Sequence, residues 1–460
     1  MNKYLFIIGL IGTALFTACS TSDDLVAEIP SQGLTEEEKA IIIEAGQDSD
    51  VPITIGSVGT RRAMTRTPFD PETGGLFVTP AGKYLGVYCL ATGLQEEAPS
   101  IGGVVPENDD DILWNNEPTT YEKWMENVPA KVSKQDSGDD PISGATETYS
   151  YVAFLDPTAL DGGSPTETSK VYYYPFGNWY HYDFFAYYPR QKGSDKVLSA
   201  KKFVYVKFEI DGTQDIIWGT ASGDGKSITD SHGKNVKAYC SKYIRLMKEV
   251  DGEDEGDAPD YTEFEVVPAF TFNHLLTQFV FSIKPHDNDA QKLFDNGFRL
   301  TGLTLKNVYK DLGLFVASKT SKYTSGELRV NSDNVIDIPA RKTDDSAPDY
   351  PIYVAGQKID ESTPVNLSTK EVGYAMVPTS AMISSKTHNQ YLVYLTFAQN
   401  EGDVPSTVVE LTPPAGGFLK GEKYNITIEI FSPTKIQAKA TLDSWQDGYD
   451  GPDDGVFHVD

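Results

Sequence analysis

GEKYNITIEI, residues 421–430, decides the class of the fold. Tyr424, Ile426, Ile428 and Ile430 alternate with Asn425, Thr427 and Glu429. A period of two sends the apolar set to one side of a strand and the polar set to the other, giving one dry and one wet face. KIQAKATL (435–442) follows and is predicted to be the next strand.

The same texture recurs upstream. VPITIGSV (51–58), KYLGVYCL (83–90), TYSYVAFL (148–155), YDFFAYYP (182–189), KFVYVKFEI (202–210), QFVFSIK (278–284), LGLFVAS (312–318), VGYAMVP (372–378) and YLVYLTF (391–397) each alternate or run apolar, then break. So many short strands without helical periods between them indicate an all-β chain of antiparallel sandwiches, not a parallel α/β fold. The 26 Tyr, 22 Phe, 39 Gly and 27 Pro favour strands and turns over helices. Gaps rich in Pro, Gly and Asp at 104–118, 134–146, 156–170, 220–235, 250–260 and 340–350 are predicted loops. KPHDNDAQKLFDNG (284–297) interrupts the strands, and the boundary between two domains is placed there.

In YDFFAYYP, Tyr182, Phe184, Ala186 and Tyr188 share one face and Phe185 and Tyr187 the other, so both faces are expected to be covered. Trp445, beyond the last strand, is expected to cap a core.

The first residues, MNKYLFIIGLIGTALFTACS, combine Lys3, an apolar run from Tyr4 to Phe16, and small residues before Cys19. That run is shorter than the roughly 20 residues of a membrane span and has the form of a cleaved export signal. A cysteine directly after small residues marks a lipoprotein signal over 1–18, with Cys19 the acylated mature N-terminus. Several acyl chains together make a stable anchor. Residues 19–50 form a tether in which LTEEEKAIIIEAG (34–46) carries the capping-box pair Thr35 and Glu38 of a short helix.

A formal net charge of −28 argues against a nucleic-acid partner, because phosphate binding needs clustered Lys and Arg. After Cys19 there remain Cys89 and Cys240, which can pair in an oxidising compartment. The apolar setting of Cys89 in YLGVYCLAT is equally consistent with a buried thiol.

No constellation for catalysis emerges. GTASGDGKS (219–227) has five residues, not four, between its first glycine and Gly-Lys-Ser, and no helix follows, so it is a glycine-rich turn and not a phosphate loop. DGEDEGDAPDYTE (251–263) places threonine where a calcium loop needs its twelfth-position carboxylate. The six histidines show no zinc spacing, and His274 in FTFNHLLTQF fits a strand pattern. The chain is expected to have no enzymatic role, no cofactor and no metal.

Four stretches together resemble one family. They are ITIGSVGTRRAMTRT (53–67), YDFFAYYPR (182–190) with TQDIIWGTAS (213–222), FTFNHLLTQFVFSI (270–283), and GFLKGEKYNITIEI with KIQAKATLDSW (417–445). In this order, behind a lipoprotein signal, they resemble the fimbrillin family of type V pili, the FimA/Mfa-like lipoproteins of Bacteroidetes. The resemblance implies two tandem antiparallel β-sandwich (transthyretin-like) domains, here 51–290 and 291–460. It implies a fimbrial subunit or tip adhesin that reaches the outer membrane as a lipoprotein and then joins a surface fimbrium. It also implies cutting after an arginine, loss of the first strand (51–58), and completion of the sheet by a strand from another fimbrial subunit.

The segment TRRAMTRT (60–67) supplies Arg61, Arg62 and Arg66 for an arginine-specific protease, and PFDPETGG after it is turn-forming. The alternative is a solvated charge cluster. In the resemblance the donated strand is C-terminal, which points to GVFHVD (455–460), where Val456 and His458 alternate with Phe457 and Val459. The rival reading is a surface glycan-binding lipoprotein, with Trp114, Trp124 and Trp179 as sugar-stacking candidates.

Overall fold

The computed structural model describes residues 48–57, 79–94, 123–134, 150–162, 164–175, 180–200, 203–251, 267–342, 348, 351–354, 367–384, 386, 391–399 and 402–443. Its first strands are β1 (Asp48–Pro52), β2 (Ile55–Ser57), β3 (Leu85–Leu94), β4 (Lys123–Lys134), β5 (Ser150–Phe154), β6 (Tyr173–Pro175), β7 (Tyr180–Tyr188), β8 (Val197–Ala200), β9 (Phe203–Glu209), β10 (Ile217–Ala221), β11 (Ser227–Thr229), β12 (Asn235–Lys237) and β13 (Ala269–His274). There follow β14 (Thr277–Pro285), β15 (Arg299–Tyr309), β16 (Asp311–Ser318), β17 (Glu327–Val330), β18 (Val335–Pro339), β19 (Lys370–Val377), β20 (Tyr391–Gln399), β21 (Gly402–Leu411), β22 (Lys423–Ser432) and β23 (Lys435–Asp443). Short helices α1 (Pro157–Leu160), α2 (Ser241–Asp251), α3 (Asn288–Asp295) and α4 (Ser380–Ile383) lie between them. The fold is all-β, as the alternation predicts.

Two apolar cores organise these strands. Around the first, β10-β13-β2-β5-β4-β3-β7 close into a barrel, and β17-β16-β9-β8 form a four-stranded sheet. In β9, Val204, Val206 and Phe208 are buried while Lys207 and Glu209 are exposed, so one face of that sheet packs inward. This packing explains why β7 is buried on both sides. Tyr187 meets Phe208 edge-on at 6.1 Å, while Phe184 on the other face meets Tyr174 at 6.2 Å. Trp218 of β10 donates its indole N–H to the carbonyl of Val316 in β16 at 2.7 Å, tying the barrel to the sheet.

The second core lies between the four-stranded sheets β19-β14-β22-β23 and β18-β15-β20-β21. The expected alternation in β22 holds: Tyr424, Ile426, Ile428 and Ile430 are buried and the residues between them half-buried. Phe279 of β14 contacts Tyr391, Phe418 and Tyr424, an aromatic cluster that closes one end of this core.

Several sequence expectations are corrected. Pairing is mostly antiparallel, but β14–β22 and β13–β2 are parallel. The segment 284–297 interrupts the strands as a short helix, α3, capped by Asp287 accepting from the Ala290 N–H at 2.9 Å. Residues 156–170 contain α1, and 220–235 contain β11 and the start of β12, which make a small two-stranded sheet. SKYIRLMKEVD forms α2, where no helix was expected. The run 270–283 is two strands, divided at Leu275 and Leu276. Cys89 and Cys240 are buried and form no disulfide. The predicted tether helix and Trp445 lie outside the described residues. The hairpin β16–β17 comes from beyond residue 290 yet pairs with β9, so the sheet over the barrel takes strands from both sides of the expected boundary.

Candidate functional site

The sequence singled out residues 51–58 as a removable strand, and the structure gives them a specific place. The chain enters as β1, which pairs antiparallel with β6 through Asp48 opposite Pro175 and Pro52 opposite Tyr173. The N–H of Ile53 then donates to the Tyr172 carbonyl at 2.7 Å. After this irregularity the chain becomes β2, three residues long, inserted between two barrel strands. On one side Ile55, Gly56 and Ser57 face Val152, Tyr151 and Ser150 of β5 in antiparallel register. On the other, Gly56 and Ser57 run parallel to Ala269 and Phe270 of β13.

β2 is therefore not an edge strand covering a finished sheet. It is the stave that closes the barrel. Removing it from the seven-stranded ring leaves six strands with two unpaired edges, β5 and β13. Such edges present rows of backbone donors and acceptors that recruit another strand.

Val51, Ile53 and Ile55 point into the first core, with 8%, 4% and 0% of their surface exposed. Pro52, between the first two, is exposed, and Thr54 is half-buried. Burying each branched side chain is worth about 1.5–3 kcal/mol. Together with the ladder bonds, this burial holds the strand in the barrel.

The walls are aromatic. Phe154 packs edge-on against Tyr172 at 5.6 Å, and the Lys170 ammonium lies 5.2 Å from the Tyr172 ring centre. Burial pushes the Tyr172 phenol up to about 12, with the Asp156 charge adding to it. Tyr174, fully buried, stands behind β1 between Tyr182 and Phe184.

Two polar clusters brace the barrel. At one, Asp183 is buried in β7 and its Oδ1 accepts the Gly223 N–H at 2.8 Å and the Ser222 hydroxyl at 3.2 Å. Burial raises its carboxyl above the ordinary value, while the Gly223 bond works against that rise. Gly223 belongs to the stretch that imitates a phosphate loop; here it turns the chain between β10 and β11. At the other, Tyr187 donates to Asn127 Oδ1 at 2.8 Å, and Arg190 Nε donates to the Asn127 carbonyl at 2.9 Å.

His274 ends β13, as the strand pattern predicts, and its Nδ1 lies 2.5 Å from Oδ2 of buried Asp215. Sequence reasoning missed this pair, although Asp215 in TQDIIWG was the available signal.

The processing candidates Arg61, Arg62 and Arg66, the lipidation candidate Cys19 and the donor candidates Val456, Phe457, His458 and Val459 all lie outside the described residues. So do Trp114 and Trp179, while Trp124 lies in β4. Among the described residues no group of three or more His, Cys, Asp or Glu is placed to hold a metal ion. No helix among them is long and apolar enough to cross a membrane.

No family model matches the chain, and no curated protein matches it. Solved structures do resemble it. A "putative cell adhesion protein" from Bacteroides uniformis is 14% identical with a TM-score of 0.39, over 86% of this chain and 99% of that one. The tip fimbrial protein Mfa3 from Porphyromonas gingivalis, with C-terminal truncation, is 9% identical with a TM-score of 0.33, over 86% and 100%. A fimbrial assembly protein from Parabacteroides distasonis is 10% identical with a TM-score of 0.35, over 86% and 99%. The likeness is loose in both identity and superposition.

Proposed function

We propose that the chain is the precursor of a fimbrial subunit or tip adhesin, assembled by strand exchange and serving cell adhesion. Cys19 anchors the exported precursor to the outer membrane. An arginine-specific protease then cuts after Arg61, Arg62 or Arg66, and a strand from a neighbouring subunit replaces residues 48–57. Residues 455–460 serve as the arm offered to another subunit. The chain crosses at Leu275 and Leu276, ahead of the expected boundary near 290, from the first apolar core to the second, and the β16–β17 hairpin reaches back to the first.

One observation carries this reading: β2 is the closing stave of the barrel, and the arginine cluster begins four residues after its end at Ser57. A cut there severs the stave from every strand that follows while leaving those strands joined to one another. The vacancy would expose apolar surface and two sheet edges at once, which drives association.

Limited digestion of the folded precursor with an arginine-specific protease tests the proposal. The expected result is one cut within 61–66, read by N-terminal sequencing, with a folded core retained. Resistance of all three arginines under native conditions overturns it.

A further inference from the structure

We propose that the groove occupied by residues 48–57 selects a strand with branched aliphatic side chains at three alternate positions, and that a subunit different from this chain supplies it. This inference rests on the strand-exchange reading and adds the identity class of the partner.

The groove's demands follow from its present occupant. Val51, Ile53 and Ile55 fill three successive inward positions, all closed to solvent. The backbone partner changes along the same ten residues, from β6 opposite β1 to β5 and β13 on both sides of β2. A replacement must fill the three inward positions in a row and accept the change from one neighbour to two. A strand of six residues spans only part of this path.

The chain's own candidate donor does not meet the demand. In its C-terminal segment the two alternating sets are Asp453, Gly455, Phe457, Val459 and Asp454, Val456, His458. Any three successive members of either set bring an aspartate, a glycine or a histidine into a dry position. Glycine there leaves a void, and an unpaired aspartate or histidine loses its hydration without compensation. Copies cut after Arg61, Arg62 or Arg66 keep a formal net charge of −22 to −24 and repel one another on approach. Pattern and charge both favour a foreign strand.

The test uses the full chain after nicking by an arginine-specific protease, incubated with labelled ten-residue peptides in excess and separated by gel filtration. DSDVPITIGS, the sequence of 48–57, should be retained, and its Ile55→Val version should be retained nearly as well. GPDDGVFHVD, the sequence of 451–460, should bind about ten- to a hundredfold more weakly, the effect of one unfilled aliphatic position. The Ile55→Asp peptide should be lost. Equal retention of GPDDGVFHVD and DSDVPITIGS overturns the assignment of a foreign partner and leaves strand exchange standing. Retention of neither peptide by nicked, folded protein overturns strand exchange itself.

Discussion

His274 Nδ1 and Asp215 Oδ2 lie 2.5 Å apart, with both side chains closed to solvent. Asp215 precedes β10, His274 ends β13, and Ile217 pairs directly with His274 in the ladder between those strands. The contact fixes the end of β13, the strand that runs beside β2. Replacing His274 by alanine leaves the Asp215 carboxyl group in a dry site without this contact. The expected loss is at least about 1–3 kcal/mol, the cost of stranding a buried polar group. Asp215→Asn keeps an acceptor for the imidazole and should cost less. Urea midpoints of the two variants check the order, and an unchanged midpoint for His274→Ala would show that the pair holds nothing.

A Cβ on Gly223 would stand 2.3 Å from the Ala238 carbonyl oxygen, which is backbone and has little room to move. The same residue donates its N–H to Asp183. Gly223→Ala should therefore destabilise the barrel by roughly 1–3 kcal/mol, the usual cost of overpacking. Gly82, whose added Cβ would meet nothing within 4 Å, has only its positive φ of 70° against substitution. Thermal unfolding of both alanine variants should rank Gly223→Ala as the more damaging.

Stability should depend on acid through Asp161. The Arg190 guanidinium grips its two oxygens at 2.9 and 2.8 Å, Lys192 adds a contact at 2.5 Å, and together they lower its carboxyl from 3.8 to about 2. A carboxylate lowered on folding stabilises the native state above its unfolded value and loses that contribution as pH falls through the folded one. Asp161→Asn should thus be less stable than the parent at pH 7, and the gap should close between about pH 4 and pH 2. Denaturant midpoints across that range measure it; a gap independent of pH would assign the effect to packing.

The two thiols should be inert in the folded chain. Burial pushes the Cys89 thiol well above its ordinary value, with the Asp183 charge adding to it, and Cys240 is also buried. Thiolate is the reactive form. A mild disulfide reagent should label neither cysteine until denaturant is added, and reductant should leave Tm unchanged. Rapid native labelling, or a fall in Tm with reductant, would contradict this.

Much of the fold could be read from alternation, and the errors have physical causes. Tyr424 to Ile430 announced β22, but a period of two carries no direction, so its parallel pairing with β14 was invisible. Leu275 and Leu276 are as apolar and buried as the strand residues around them, so nothing in FTFNHLLTQF marked the break between β13 and β14. In α2, buried Tyr243 and Ile244 have Met247 packed beside them, which is helical spacing. The loop expected at 250–260 takes in only the last two residues of this helix. The first strand and its arginines were evident from composition, whereas closure of a barrel depends on which distant strands flank Ile55. Local pattern cannot report that.

β13 belongs to the barrel and β14 sits between β19 and β22 in the second core, with only Leu275 and Leu276 between them. A tug on the barrel would travel through these two residues into the interior of the next sheet, beside the β15–β16 and β17–β18 connections that also join the two cores. There the ladders on both flanks of β14 share the load in shear. A pull across that crossing therefore meets paired strand on both sides, with only two residues between the ladders.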